Sequence, residues 1–301
     1  MITNIDQLLL CLTRRCNMAC RHCLRGDAQC KDMSETIIRQ TFKGLTDCQI
    51  NTLFLTGGEI TIIPTATLKR QLTLISSICN EQRISIGSIG FVSNGKKVTQ
   101  KFTDLIVQFA LDLNISGFYI GISETQYHDT DRFDDRYMLH ALGHRLRQAL
   151  RLDNEEEASV NVRGELRDSS IIIEGRAHED LQYAIQLDRY NRTIVDALHN
   201  KFIEIYGIEF DKLCDSNYIT LNQREDKFEL DGEVYVGATG NITFNCDFSY
   251  ESEEDISFLN LVKLSKGKTT HNQGLFEVIE QVARFGNDNR IHVNWEKEQE
   301  A

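Results

Sequence analysis

The sequence predicts an α/β fold: a parallel sheet, closed wholly or partly into a barrel, followed by a small C-terminal extension made of a β-hairpin and a helix. Three features lead to it. Short β-rich runs alternate with longer helix-like runs up to residue 177, and such alternation implies parallel strands joined by right-handed crossovers. The 301 residues suit one domain of barrel size or two smaller ones. Beyond residue 230 the alternation gives way to a hairpin pattern.

In chain order, "QLLLCLT" (7–13) reads as a strand and "SETIIRQTFKGL" (34–45) as a helix capped by Ser34. "TLFLT" (52–56) is a strand of the buried type, and "TLKRQLTLISSIC" (67–79) is helical. "ISIGSIGFVS" (84–93) and "GFYIGIS" (117–123) are strands separated by the helical "KFTDLIVQFALDL" (101–113). Apolar residues at helical spacing mark "DDRYMLHALGHRLRQALRL" (134–152), and "ASVNVRGEL" (158–166) and "SSIIIEGRA" (169–177) are the next strands. The tail "DGEVYVGATGNITFNCD" (231–247) reads as two short strands joined around "GATGN", and "GLFEVIEQVARFG" (274–286) as a last helix. The pattern shifts between 185 and 230, which places a boundary between a core at 1–205 and an extension at 206–301.

Composition removes several classes of function. A formal charge of −12, from 33 Lys+Arg against 45 Asp+Glu, repels phosphate backbones and argues against general nucleic-acid binding. No apolar run approaches the ~18 residues of a membrane span. The N-terminal stretch lacks a basic start and a small-residue cleavage site, so the expectation is a cytoplasmic protein. Its nine cysteines are then thiols or metal ligands rather than disulfides.

Three of those cysteines stand in "CNMACRHC" (16–23), directly after the first strand. Cys16, Cys20 and Cys23 form C-x3-C-x2-C, and sulfurs so close on an irregular loop can converge on one metal centre. A [4Fe–4S] cluster takes one ligand on each of four irons, so three thiolates leave one iron open, the mark of a catalytic rather than a structural centre. Zinc held by the triplet plus His22 is an alternative, but His22 lies awkwardly between two ligands. A c-type haem site fails because the order is Cys20-Arg21-His22-Cys23. Chance clustering is the remaining reading.

The pattern resembles the radical S-adenosylmethionine (radical SAM) superfamily, whose signature is C-x3-C-x2-C after the first strand of a partial (β/α)6 TIM-like barrel. The resemblance covers residues 7–180, with Asn17 following the first cysteine as in the family. It implies that S-adenosyl-L-methionine (AdoMet) chelates the open iron and that the reduced cluster cleaves it to methionine and a 5′-deoxyadenosyl radical. That radical takes a hydrogen atom from a substrate. An electron donor such as flavodoxin or ferredoxin is implied as well.

"LFLTGGEI" (53–60) puts Thr56, Gly57, Gly58 and Glu59 at the end of the second strand, like the family's GGE motif. Glycines there let a ligand approach the main chain, and the resemblance implies contact with the AdoMet amino group. The turn is expected beside that ligand rather than beside the iron. A proline usually follows the Glu; here Ile60 does. "FVSNGK" (91–96), with Ser93 and Asn94, resembles the segment near the adenosyl group. Ser123 and Glu124, after the fourth strand, match residues that bond the ribose. The resemblance implies Arg163, on the fifth strand, as a partner for the AdoMet carboxylate, and "IIIEGRA" (171–177) resembles the family's sixth-strand "GRA", which implies Arg176 near the site. The ordinary alternatives are a strand-ending turn for the Ser–Glu pair and surface ion pairs for the arginines.

The other cysteines read as structural thiols: Cys11 in a strand, Cys48 and Cys79 at helix-like positions, and Cys30 near the triplet, where a fourth ligand would block AdoMet. The tail resembles a SPASM or twitch extension, which in relatives carries auxiliary clusters. Only Cys214 and Cys246 lie in it, too few for a site of four thiolates. The carboxylates of "RFDDRY" (132–137) read as solvated or capping groups. The sequence therefore points to a single-cluster radical SAM enzyme acting on a peptide or protein. The same chemistry on a small molecule or nucleotide is the first alternative. A non-catalytic iron–sulfur or zinc-binding interaction protein is the second.

Overall fold

The computed structural model describes residues 2–20, 23, 27–123, 135–152, 158–163, 219–224, 227–240, 242–244 and 291–295. Its spine is β1 (Ile2–Thr13), which pairs in parallel with β2 (Gln49–Gly57) on one side. From β2 the sheet continues in parallel through β3 (Ser85–Ser93), β4 (Gly117–Ser123) and β5 (Ala158–Arg163). Four helices follow their strands: α1 (Glu35–Phe42), α2 (Thr65–Gln82), α3 (Gln100–Leu113) and α4 (Arg136–Leu150). The expected α/β fold is thus present. Among the described residues the sheet is open at β5, in keeping with a partial barrel.

The sixth parallel strand comes from the tail. β7 (Lys227–Val236) pairs in parallel with the other side of β1. It also pairs antiparallel with β6 (Ile219–Arg224) and β8 (Ile242–Phe244), while β9 (Ile291–Trp295) lies parallel to β6. The β7–β8 pair is the hairpin expected around "GATGN". The strand expected at 169–177, the helix at 274–286 and the boundary at 205 lie outside the described residues.

Local rules explain most element ends. Ser34 caps α1 by accepting from the Ile37 N–H (3.3 Å), and Thr99 caps α3 by accepting from Phe102 (3.1 Å). α1 ends at Phe42, short of the expected residue 45, because Gly44 adopts φ +83°. α2 begins directly after Pro64, whose ring cannot continue a helix backwards.

β1 starts five residues earlier than its apolar run. Ile2, Ile5 and Leu8 are all buried, yet their spacing of three breaks the period of two that marks a strand. Irregularities in the pairing with β7, next to Gly232 at φ +122°, absorb the mismatch.

One face of the sheet is sealed by the helices. Leu8, Leu10 and Leu12 of β1, Leu53 and Leu55 of β2, Phe91 of β3 and Ile120 of β4 are buried in one core with Phe42, Leu72, Ile106 and Leu142. Each such side chain contributes about 1.5–3 kcal/mol by leaving water. The opposite face carries a small cluster of Leu9, Cys11, Tyr235 and Ala238, with Phe54 against it. Phe54 and Tyr119 lie 6.2 Å apart across β3. The intervening residue is Gly90, where a Cβ would come within 2.6 Å of the Phe54 ring.

Gln71 ties this frame to the loop that follows β1. Buried in α2, its Nε2 donates to the carbonyls of Leu12 (3.0 Å) and Met33 (2.9 Å). Gln71→Leu keeps the volume but strips both carbonyls of this donor. It is expected to destabilise the protein by about 1–3 kcal/mol, read as a lower denaturant midpoint at unchanged m-value. An unchanged midpoint would show that this tie does not hold the loop.

Candidate functional site

Parallel strands deliver their following loops to one common edge of the sheet. The cysteine loop leaves β1 there, the Gly57–Glu59 turn leaves β2, Asn94 leaves β3 and Ser123 ends β4. In register, Ser93 of β3 faces Ile122 of β4, so Ser123 stands beside the Asn94 loop, and Arg163 of β5 faces Ser123. Glu124 and Arg176 lie outside the described residues.

Residues 13–15 are gripped from both sides before the cysteines begin. On one side a return segment folds back antiparallel: Arg14 N–H donates to Lys31 (2.7 Å), Gln29 N–H to Arg14 (2.9 Å) and Met33 N–H to Leu12 (2.9 Å). Asp32 in that segment accepts a hydrogen bond from Arg15 Nε, shared between its two oxygens (2.9 and 3.0 Å), and one from the Thr13 hydroxyl (2.6 Å). Thr13 Oγ1 in turn accepts from the Arg15 N–H (3.0 Å). On the other side the glycine turn lies on the same residues. Gly58 N–H donates to Thr13 (2.9 Å) and Glu59 N–H to Arg15 (2.7 Å).

Both glycines are required by this approach. Gly57 holds φ +152°, and a Cβ there would overlap the Thr13 carbonyl oxygen. A Cβ on Gly58 would overlap the Arg15 carbonyl and reach 3.1 Å from the Cys16 Cβ. The turn thus packs on Cys16 itself.

Cys16, Cys20 and Cys23 are half-buried, none is in a disulfide, and Cys23 N–H donates to the Cys20 carbonyl (3.1 Å). Among the described residues no three His, Cys, Asp or Glu side chains are gathered tightly enough to hold a metal ion. The donor chemistry of the loop nevertheless suits a three-thiolate cluster: three accessible sulfurs within eight positions on an irregular loop. Cys48 and Cys79 contrast with them. Both are buried, and burial pushes their thiols up to about 12, so they are inert. Cys11 is buried, as expected, whereas Cys30 is exposed on the return segment.

Glu59 turns inward. It is 2% exposed, and its carboxylate accepts four hydrogen bonds: from the Thr61 N–H (3.1 Å), the Thr61 hydroxyl (2.8 Å), the Ser93 hydroxyl (2.8 Å) and the Asn94 N–H (2.8 Å). Ser93, also buried, accepts from the Gly95 N–H (3.0 Å). In this geometry the Ser93 hydroxyl donates to Glu59, and the N–H groups of Gly58 and Glu59 are taken by the Thr13 and Arg15 carbonyls. Burial pushes the Glu59 carboxyl above its ordinary 4.5, opposed by the bonds from Asn94, Thr61 and Ser93. The sequence reading missed Asp32, Gln71 and this inward aim. Only the position of Asn17 next to Cys16 carried a signal.

No protein-family model matches the chain, and no curated protein does. Among solved structures the protein is similar to anSMEcpe with bound AdoMet, at 13% identity and a TM-score of 0.42, covering 81% of this chain and 75% of that one. It is similar to anSMEcpe with bound AdoMet and the Cp18Cys peptide at 13% identity and a TM-score of 0.36, covering 53% of this chain and 42% of that one. Streptococcus suis SuiB bound to the precursor peptide SuiA is similar at 12% identity and a TM-score of 0.32, covering 83% and 62%. Among the described residues no helix is long and apolar enough to cross a membrane.

The folded protein holds the Glu59 proton more tightly than the unfolded chain does. The stability tied to it is therefore whole below 4.5 and is lost as pH rises through the raised folded value. Glu59→Gln cannot titrate, and it turns an amide donor towards one of the N–H groups that Glu59 serves. The substitution is expected to cost about 1–3 kcal/mol, with the gap to wild type narrowing as pH rises. Denaturant midpoints across pH 4–8 measure it. A gap that widens with pH would contradict this assignment.

Proposed function

We propose that the protein is a radical SAM enzyme with one [4Fe–4S] cluster held by Cys16, Cys20 and Cys23. The observation that carries the reading is the packing of the Gly57–Gly58 turn directly on Arg15 and Cys16. It brings the turn, where AdoMet is proposed to be held, beside the first thiol. When bound, the cluster and AdoMet would supply a one-electron cleavage that yields a hydrogen-abstracting radical.

The chain's own part is positioning. The thiolates of the triplet bind iron and leave one coordination place open. The glycine turn offers main-chain groups to the AdoMet amino group, with Thr56 at its start. Ser93 and Asn94 line the adjacent edge, and Ser123 and Glu124 are proposed to reach the ribose. Arg163 is the proposed partner of the AdoMet carboxylate, and Arg176 a further cation at the site. A flavodoxin- or ferredoxin-type donor would supply the electron. The proposed substrate is a peptide or protein, on the resemblance of the tail "VYVGATGNITFNCDFSYE" to SPASM or twitch extensions. The cytoplasm is the proposed location.

Anaerobically reconstituted protein is expected to bind about four irons per chain and, with a strong reductant, to release methionine and 5′-deoxyadenosine from AdoMet. Gly58→Ala should lower iron content and AdoMet binding together, because the turn packs on Cys16. A cluster that assembles while AdoMet stays intact, with and without peptides, would overturn the enzyme reading in favour of a binding protein.

A further inference from the structure

Asn94 directs three polar groups at three partners. Its N–H donates to Glu59 Oε2 (2.8 Å), its Oδ1 accepts from the Lys96 N–H (3.0 Å) and its Nδ2 donates to Oδ1 of Asn17 (2.9 Å). The Lys96 bond fixes the amide's orientation, because a main-chain N–H needs an acceptor; the donor end must then face Asn17. Asn17 follows Cys16 and lies 77 positions from Asn94 in the chain. Arg15, on the other flank of Cys16, is held through its carbonyl by the Glu59 N–H (2.7 Å). Both neighbours of the first thiol are thus tied to Glu59, one by main chain and one through Asn94.

We infer that Asn17 and Asn94 form a latch, seated on the buried Glu59, that sets the position and shelter of Cys16 in the metal-free chain. The two asparagines are positioning residues. Their importance for chemistry rests on the proposed reading of Cys16 as a cluster ligand, but the latch itself is a property of the protein without iron. It brings the loop to the glycine turn before any metal or AdoMet arrives.

The pairing has a signature that a merely structural role lacks. Asn17→Asp leaves an acceptor for the Asn94 amide. Asn94→Asp leaves an acceptor for Lys96 and for Asn17, whose amide can turn over. Either single change therefore preserves the latch, whereas the double change sets two carboxylates against each other.

The test is the alkylation rate of Cys16 in full-length, iron-free protein under anaerobic conditions, followed by mass spectrometry, with buried Cys48 and Cys79 as internal controls. Both single variants are expected to react at Cys16 within about twofold of wild type. The double variant should react about fivefold faster, the shift that two like charges at such range produce in water. Salt at about 1 M should shrink that excess by screening. Equal rates in the double variant and wild type would overturn the latch. So would an Asn94→Asp protein as reactive as the double, or Cys48 and Cys79 becoming reactive in parallel. Iron loading of wild type separates the two claims: a chain that takes up no iron overturns the proposed function while the alkylation result still decides the latch.

Discussion

The site depends on where one carboxylate is allowed to be. Glu59 is almost wholly shut off from water, and a buried carboxylate is stable only when donors are built around it. Two of its donors come from its own turn and two from the end of β3. The ends of β2 and β3 are therefore held together at that edge. With Glu59 pointing inward, the Gly57–Gly58 main chain presses on residues 13–16 so closely that neither glycine could carry a Cβ in place. Asp32 closes the other side through Thr13 and Arg15. The loop of three thiols thus starts from a fixed point.

The same frame divides the cysteines by chemistry. Cys48 and Cys79 lie in the apolar core, where nothing stabilises a thiolate and both are held protonated. Cys16, Cys20 and Cys23 sit half-exposed on the edge where the parallel strands end.

Much of the fold was legible because its signals are local. The cap at Ser34 and the apolar runs of β2, β3 and β4 depend on neighbours a few residues away. The first half of β1 was hidden because Ile2, Ile5 and Leu8 break the strand period, and only bulged pairing with β7 makes them consistent. The tail hairpin was visible around "GATGN", but its place beside β1 was not, since no local pattern records which sheet edge a strand joins. β6 and β9 left no clear mark among polar residues. At the site, the cysteine triplet and the glycine turn could be read as motifs. Asp32, Gln71 and the Asn17–Asn94 bond span 17 to 77 positions, and bonds of that range leave no periodic trace. Which way the Glu59 side chain points was not legible, because motif and sequence position do not record it.

The central claim is that Glu59 holds the turn, the end of β3 and the cysteine loop as one unit. Hydrogen exchange of the full-length protein, comparing wild type with Glu59→Ala, tests it most directly, because exchange reports opening segment by segment. The account predicts that residues 13–17, 58–61 and 93–96 lose protection together while α3 keeps its own. Loss confined to 58–61, with the cysteine loop and the end of β3 unchanged, would contradict it.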